Sequence, residues 1–342
     1  MNRQARRITV FVLLLAAILF PFFNTSSFWL DFVTMTLFIA VLGQGWNILG
    51  GYGGQFSFGH AVFFGVGAYI QVILQAKFGI SAWLAIPFAT AGGIGVGLFI
   101  GYLSFRYGLR GPYFALITLA FAEAFRVLAT SLDVITDGGQ GMYLALNQDP
   151  ARSMELLQFL SGEGYYVIAV LLTIVSLLIA WRLEHSRFGA QLMAVRENEA
   201  AAQALGVNAF RTKMWAIGIS GSLTALGGVF YVQKFLFINP NIAFGPAKSI
   251  EALIVPIIGG MGTIFGPLLG ATFLHGISEI TKELSASLFA DRPGLDLMIY
   301  GLILILMLSF LPTGLIGLGK RLLRHFRQRS KKKPVQDYAR GR

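Results

Sequence analysis

SIEALIVPIIGGMGTIFGPLLGATFLH, residues 249 to 275, is apolar enough to enter a membrane and too short to cross it twice. With Lys248 it has 28 residues, where two full spans need about 40. Pro256 and the run GGMGTIFGP from Gly259 interrupt any helix drawn through it, because proline removes a backbone donor and glycine loses the most entropy on ordering. A broken backbone at membrane depth survives only where protein or a water-filled cavity covers it. The stretch therefore predicts a re-entrant segment or two half-helices set inside a bundle of spanning helices.

The rest of the chain supplies that bundle. Its 342 residues are 55% hydrophobic and 13% charged, with a mean hydropathy of +0.67, which leaves too little polar surface for a soluble globule. Apolar runs near 8–23, 28–49, 57–76, 81–105, 111–130, 165–183, 213–235 and 297–319 predict an all-α polytopic membrane protein of about eight transmembrane helices. The first run, ITVFVLLLAAILFPFF from Ile8, follows Arg3, Arg6 and Arg7 like a signal peptide. No small-residue cleavage site comes after it, so it reads as a retained span. The absence of cysteine excludes disulfides and thiolate metal sites.

Charge orients the spans. Residues 1–7 carry three arginines, and residues 320–342 carry ten Lys/Arg against one Asp, so both ends are expected in the cytoplasm. Ends on one side require an even number of crossings. Threading them puts residues 182–213 inside, and it puts the acidic loops 131–164 and 275–296 outside. Residues 248–275 must then leave and return on the outer side. The organisation is a transmembrane domain over 1–319, with a cytoplasmic loop at about 184–212, and a basic cytoplasmic tail over 320–342. That tail is read as an anchor against anionic lipid, and no nucleic-acid partner is expected.

Glycine marks the close contacts. Gly93, Gly97 and Gly101 recur at i, i+4 and i+8, as do Gly262, Gly266 and Gly270, and each triplet offers a flat stripe for another helix. A second glycine-rich zone from Gly50 contains Gln55, Ser57 and His60 where a helix should enter the membrane. Two such breaks in separate halves suggest an internal repeat, with Ser57, His60 and the broken backbone at Gly259, Gly260 and Gly262 lining a translocation path.

Other signals carry less. GLIGLGKR from Gly314 nearly spells a phosphate-binding loop, but Arg321 replaces the hydroxyl residue and no strand precedes it. His60, His185, His275 and His325 have no metal-ligand spacing, so no metal, directly bound cofactor or catalytic residue is expected. Glu123 and Arg126 lie at i, i+3 within a span, where a structural ion pair outweighs a substrate contact. RENEAAAQALG, residues 196–206, is a polar, alanine-rich segment on the cytoplasmic side. It reads equally as a linker or as a short helix held out to a partner.

Four stretches decide between those readings: GQFSFGHAVFFGVGAY from Gly54, RGPYFALITLAFAEAFR from Arg110, RFGAQLMAVRENEAAAQALGVN from Arg187, and SIEALIVPIIGGMGTIFGPLLGA from Ser249. Together they resemble the LivM-type permease subunits of bacterial branched-chain amino-acid ABC importers. The resemblance implies an inner-membrane subunit paired with a LivH-like second permease, two cytoplasmic LivG/LivF-like ATPase subunits that use ATP, and an extracytoplasmic solute-binding protein. Glu199, Ala200, Ala201 and Gly206 resemble the EAA coupling motif of such permeases, with four residues instead of three between triplet and glycine and no later I-x-L-P. Glu197 and Ala204 complete the surface expected to meet the ATPase. Branched-chain or other hydrophobic amino acids are the leading cargo. Urea or short amides carried by the same architecture, or an ion-coupled secondary transporter, remain the alternatives.

Overall fold

The computed structural model describes residues 26–147, 149–159, 161–289, 294–310, 314–319 and 321. The first predicted span, 8–23, and nearly all of the basic tail lie outside them. Runs of Leu, Ile, Phe, Ala and Val become α1 (Ser27–Trp46), α2 (His60–Ala76), α3 (Ala82–Arg106), α4 (Pro112–Ser131), α5 (Gly162–Glu184) and α8 (Ala209–Phe235). Two polar helices, α6 (Arg187–Glu197) and α7 (Glu199–Ala204), separate α5 from α8. The chain continues into α9 (Pro246–Gly259), α10 (Gly266–Phe289) and α11 (Leu295–Phe310). Six helical stretches among the described residues are long and apolar enough to cross a membrane, with His60–Ala76 and Met298–Met307 shorter. The chain is an all-α, multi-pass membrane protein.

Helix ends follow local chemistry. Pro112 opens α4, where its missing N–H costs nothing. Asn198 and Asn208 cap α7 and α8 by accepting from Ala201 N and Arg211 N. Below Trp46, α1 widens into a π-helical turn over Asn47–Tyr52, a form that recurs at functional sites. A two-residue ribbon pairs β1 (Met142–Tyr143) with β2 (Phe237–Ile238) antiparallel, tying the loop after α4 to the end of α8.

The centre is built on α1, α2 and α8, whose buried faces include Trp46, Phe63, Phe64 and Leu223. Gly93, Gly97 and Gly101 face α8 from α3. A Cβ on Gly93 would lie 2.5 Å from Ala225 Cβ and 2.7 Å from the Gly221 carbonyl oxygen. At Gly97 and Gly101 the nearest atoms belong to Ile217, at 3.1 and 2.8 Å.

The deciding stretch folds as a hairpin of unequal arms. Its descending arm, α9, has 14 residues, about 21 Å at 1.5 Å per residue. The returning arm, α10, has 24, or about 36 Å. This corrects the expected boundary at His275: the helix runs on to Phe289, so Glu279 and Glu283 stand on a helix and not in a loop. Charge count alone suggested a loop, but Glu279 pairs with Lys282 at 2.7 Å across one helical turn. A second correction concerns Gly262. It lies in the break at φ +67, before α10 begins, so it shares no helical stripe with Gly266 and Gly270. Those two pack on α9 instead: a Cβ on Gly259 would meet the Gly266 carbonyl and Gly270 N, the latter at 2.8 Å, and one on Gly270 would meet the Val255 carbonyl carbon at 2.9 Å.

Placing α6–α7 inside predicts a labelling pattern. The cysteine-free chain with Asp149→Cys or Glu283→Cys should react with an impermeant thiol reagent on intact cells, whereas Gln203→Cys should react only after the membrane is opened. The opposite pattern inverts the topology.

Candidate functional site

The polar helices α6 and α7 gather the chemistry at one end of the bundle. Ser186 caps α6 by accepting from Gly189 N, and Leu192 and Val195 turn inward. Extended backbone at Asn198 (φ −156°) ends α6 and redirects the chain. In α7, Ala202 packs with Val195 and Ala209 in a small cluster of its own, and Gly206 adopts φ +85 just beyond the helix, where a left-handed residue closes the last turn.

Glu199 faces the bundle and not the outside, which corrects the expectation that it belongs to the surface meeting the ATPase. Its side chain is 13% exposed and bonds Lys213 Nζ at 2.9 Å and Arg110 Nε at 3.1 Å. Lys213 is itself buried at the head of α8, with its ammonium 5.0 Å from the Phe105 ring centroid. One carboxylate thus ties α7 to α8 and to the loop between α3 and α4. The opposite surface remains open: Glu197, Ala200, Ala201, Ala204 and Gly206 are exposed, and Leu205 is 85% exposed.

A second set of bonds leads from α6 into the helix breaks. Arg196 donates through Nη1 to the Gly51 carbonyl at 2.8 Å and pairs with the exposed Glu197. Asn47, fully buried in the same π-helical turn, accepts from Gly262 N at 2.8 Å and donates to the Thr263 carbonyl at 3.0 Å. The break in α1 and the break between α9 and α10 therefore meet, 215 residues apart in sequence. Gly314, at φ +67, packs on the same point: a Cβ there would lie 2.8 Å from Gly260 N. Ile316 of the same GLIGLGKR segment also packs there, its Cβ 3.1 Å from where a Cβ on Gly260 would lie.

Ser57 and His60 lie inside the packed core, each about 1% exposed, and not on an open lining. The Ser57 hydroxyl accepts from Gly59 N, and its carbonyl accepts from Trp46 Nε1 at 2.8 Å. Ser220 donates to the Gly45 carbonyl, so its oxygen accepts from His60 Nε2 at 2.8 Å. Burial within the packed core is what moves both residues from path to scaffold. Sequence reasoning missed Asn47, Lys213, Arg110 and Arg196. A polar residue inside the apolar run WNILGG was the one readable sign. Among the described residues no group of three or more His, Asp or Glu side chains could hold a metal ion.

Residues 28–308 match the family described as branched-chain amino acid transport system / permease component. The chain belongs to this permease family. It is 28% identical to the LivM permease proteins of the high-affinity branched-chain amino acid transport systems of Salmonella typhimurium and Escherichia coli, over 93% of this chain and 77% of theirs. The LivH permease protein of Salmonella typhimurium is 25% identical, over 83% of this chain and 93% of the relative. No solved structure gives a significant match.

Proposed function

We propose that the chain is one membrane subunit of an ATP-driven importer of branched-chain or other hydrophobic amino acids, working beside a LivH-like permease, two cytoplasmic ATPase subunits and an extracytoplasmic binding protein. The observation that carries this reading is the two-sidedness of α7. Its inner face is anchored through Glu199, while its outer face presents the small residues Ala200, Ala201 and Ala204 with the exposed Gln203 and the bare Leu205. A rigid helix with a smooth, projecting apolar tip suits the groove of a partner that must pull on it.

Movement has a route. Closure of the ATPase pair on α7 is passed through α6 and Arg196 to the π-helical turn, and from Asn47 to the break at Gly260–Gly262. Glycines at positive φ there (Gly260 and Gly262) let the hairpin swing without side-chain collision. In this account they are a hinge, and the pathway opens alternately outward and inward as ATP binding shifts the balance between the two states.

Leu205→Asp and Ala201→Trp test the docking. Burying a leucine contributes about 1.5–3 kcal/mol, which is a roughly 10- to 150-fold change in affinity. Both variants should therefore reach the membrane at normal levels and lose more than about tenfold in co-purified ATPase, with uptake falling in parallel. Full retention of ATPase by both places the contact elsewhere. Uptake assayed across leucine, isoleucine, valine, urea and short amides identifies the cargo.

A further inference from the structure

Glu123 and Arg126 sit where a lipid-facing helix cannot keep them. They stand on α4, Glu123 being 11 residues after Pro112 and 8 before Ser131, about 16 and 12 Å from the two ends. Their side chains are nevertheless 55% and 29% exposed. Charged groups at such depth face a water-filled cavity or a bundle interior. Arg126 Nε donates to Glu123 Oε2 at 2.9 Å, and its Nη1 donates to Asn241 Oδ1 at 3.1 Å, so the guanidinium is braced from α4 and from the turn at Pro240–Phe244. A guanidinium has five N–H donors and a carboxylate about four acceptor sites, so both groups keep capacity for a further ligand.

The surroundings of the pair are apolar. Leu116, Ala120, Glu123 and Val127 recur at spacings of four, three and four, and all four are exposed on one face of α4. Leu116 also borders an open apolar groove of about 440 Å³ with Phe56, Phe58, Gly111, Pro112 and Ala115. Opposite charges set in an apolar stripe match an amino acid that carries an ammonium, a carboxylate and a hydrocarbon side chain. Neutral urea or an amide gains little from such a pair.

We propose that this face of α4 lines the hydrated cargo route and that Glu123 and Arg126 bind the ammonium and carboxylate of a zwitterionic amino acid, whose side chain rests on the apolar stripe. The inference rests on the importer reading above and adds to it the residues that touch cargo.

Two measurements on the complete importer in proteoliposomes test it. Glu123→Cys and Val127→Cys should react with an impermeant thiol reagent, and leucine-loaded binding protein should slow the reaction at least fivefold. The double variant Glu123→Gln with Arg126→Gln should be present at normal levels but move at least tenfold less leucine per ATP hydrolysed. Cysteines that stay unreactive put this face against lipid or the second permease and overturn the inference, as does wild-type leucine transport by the double variant. An unsubstituted importer that moves no amino acid overturns the importer reading itself.

Discussion

Gly93→Leu is expected to remove most folded protein from the membrane, with at least a tenfold loss of monodisperse material on size-exclusion chromatography. Even the first added carbon has no room, since it would sit 2.5 Å from Ala225 Cβ and 2.7 Å from the Gly221 carbonyl oxygen. Neither neighbour is the far end of a flexible chain. The contact is reciprocal, because a Cβ on Gly221 would meet the Gly93 carbonyl oxygen at 2.6 Å. Relief therefore requires α3 and α8 to separate along the seam. Overpacking in a well-packed core typically costs about 1–3 kcal/mol and occasionally more. In a bilayer, where helix association depends on close packing, little else replaces the contact. Gly95 is the internal control: it lies on the same helix with nothing within 4 Å of an added Cβ. Gly95→Leu should accumulate normally. Equal levels of the two variants would mean that α3 and α8 do not meet through Gly93.

What the sequence made readable follows from the range of each interaction. Spans were legible because their signal is a local run of apolar residues, and the break after Gly259 because the glycines act on their own backbone; Pro256, also expected to interrupt the helix, lies inside α9 and does not end it. The orientation of Glu199 was not. A helix of six residues has too few turns to display a buried face, and the partners that fix it, Lys213 and Arg110, lie 14 residues ahead and 89 behind. His60 was misplaced for a similar reason. A histidine at the mouth of a glycine-rich span suggests a polar route until its ring is found hydrogen-bonded to the Ser220 hydroxyl, 160 residues away. Gly262 joined a stripe on paper because i, i+4 spacing means one face only if the helix is continuous, and here it is not.

Glu199→Lys is expected to abolish uptake by loosening the permease itself, in contrast to changes on the outer surface of α7. Lys213 is buried, its side chain 3% exposed, and its ammonium is neutralised by Glu199. Removing one partner of such a pair strands the other charge and costs about 3–5 kcal/mol. The substitution also sets a third cation beside Lys213 and Arg110. The tie between α7, α8 and the loop before α4 should then open, and thermal unfolding of the isolated permease in detergent should shift to lower temperature. Glu197→Lys gives the comparison. Its side chain is 71% exposed and pairs with neighbouring Arg196, an arrangement worth about 0–1 kcal/mol, so its unfolding should stay close to wild type. Replacing the buried pair together, Glu199→Gln with Lys213→Met, should recover most of the lost stability, because two neutral groups of similar volume leave no stranded charge. Leu205→Asp should leave unfolding unchanged and affect only ATPase capture. Unfolding of Glu199→Lys indistinguishable from wild type would show that the carboxylate does not hold α7 in place, and α7 would then lack the fixed inner face on which a coupling role depends.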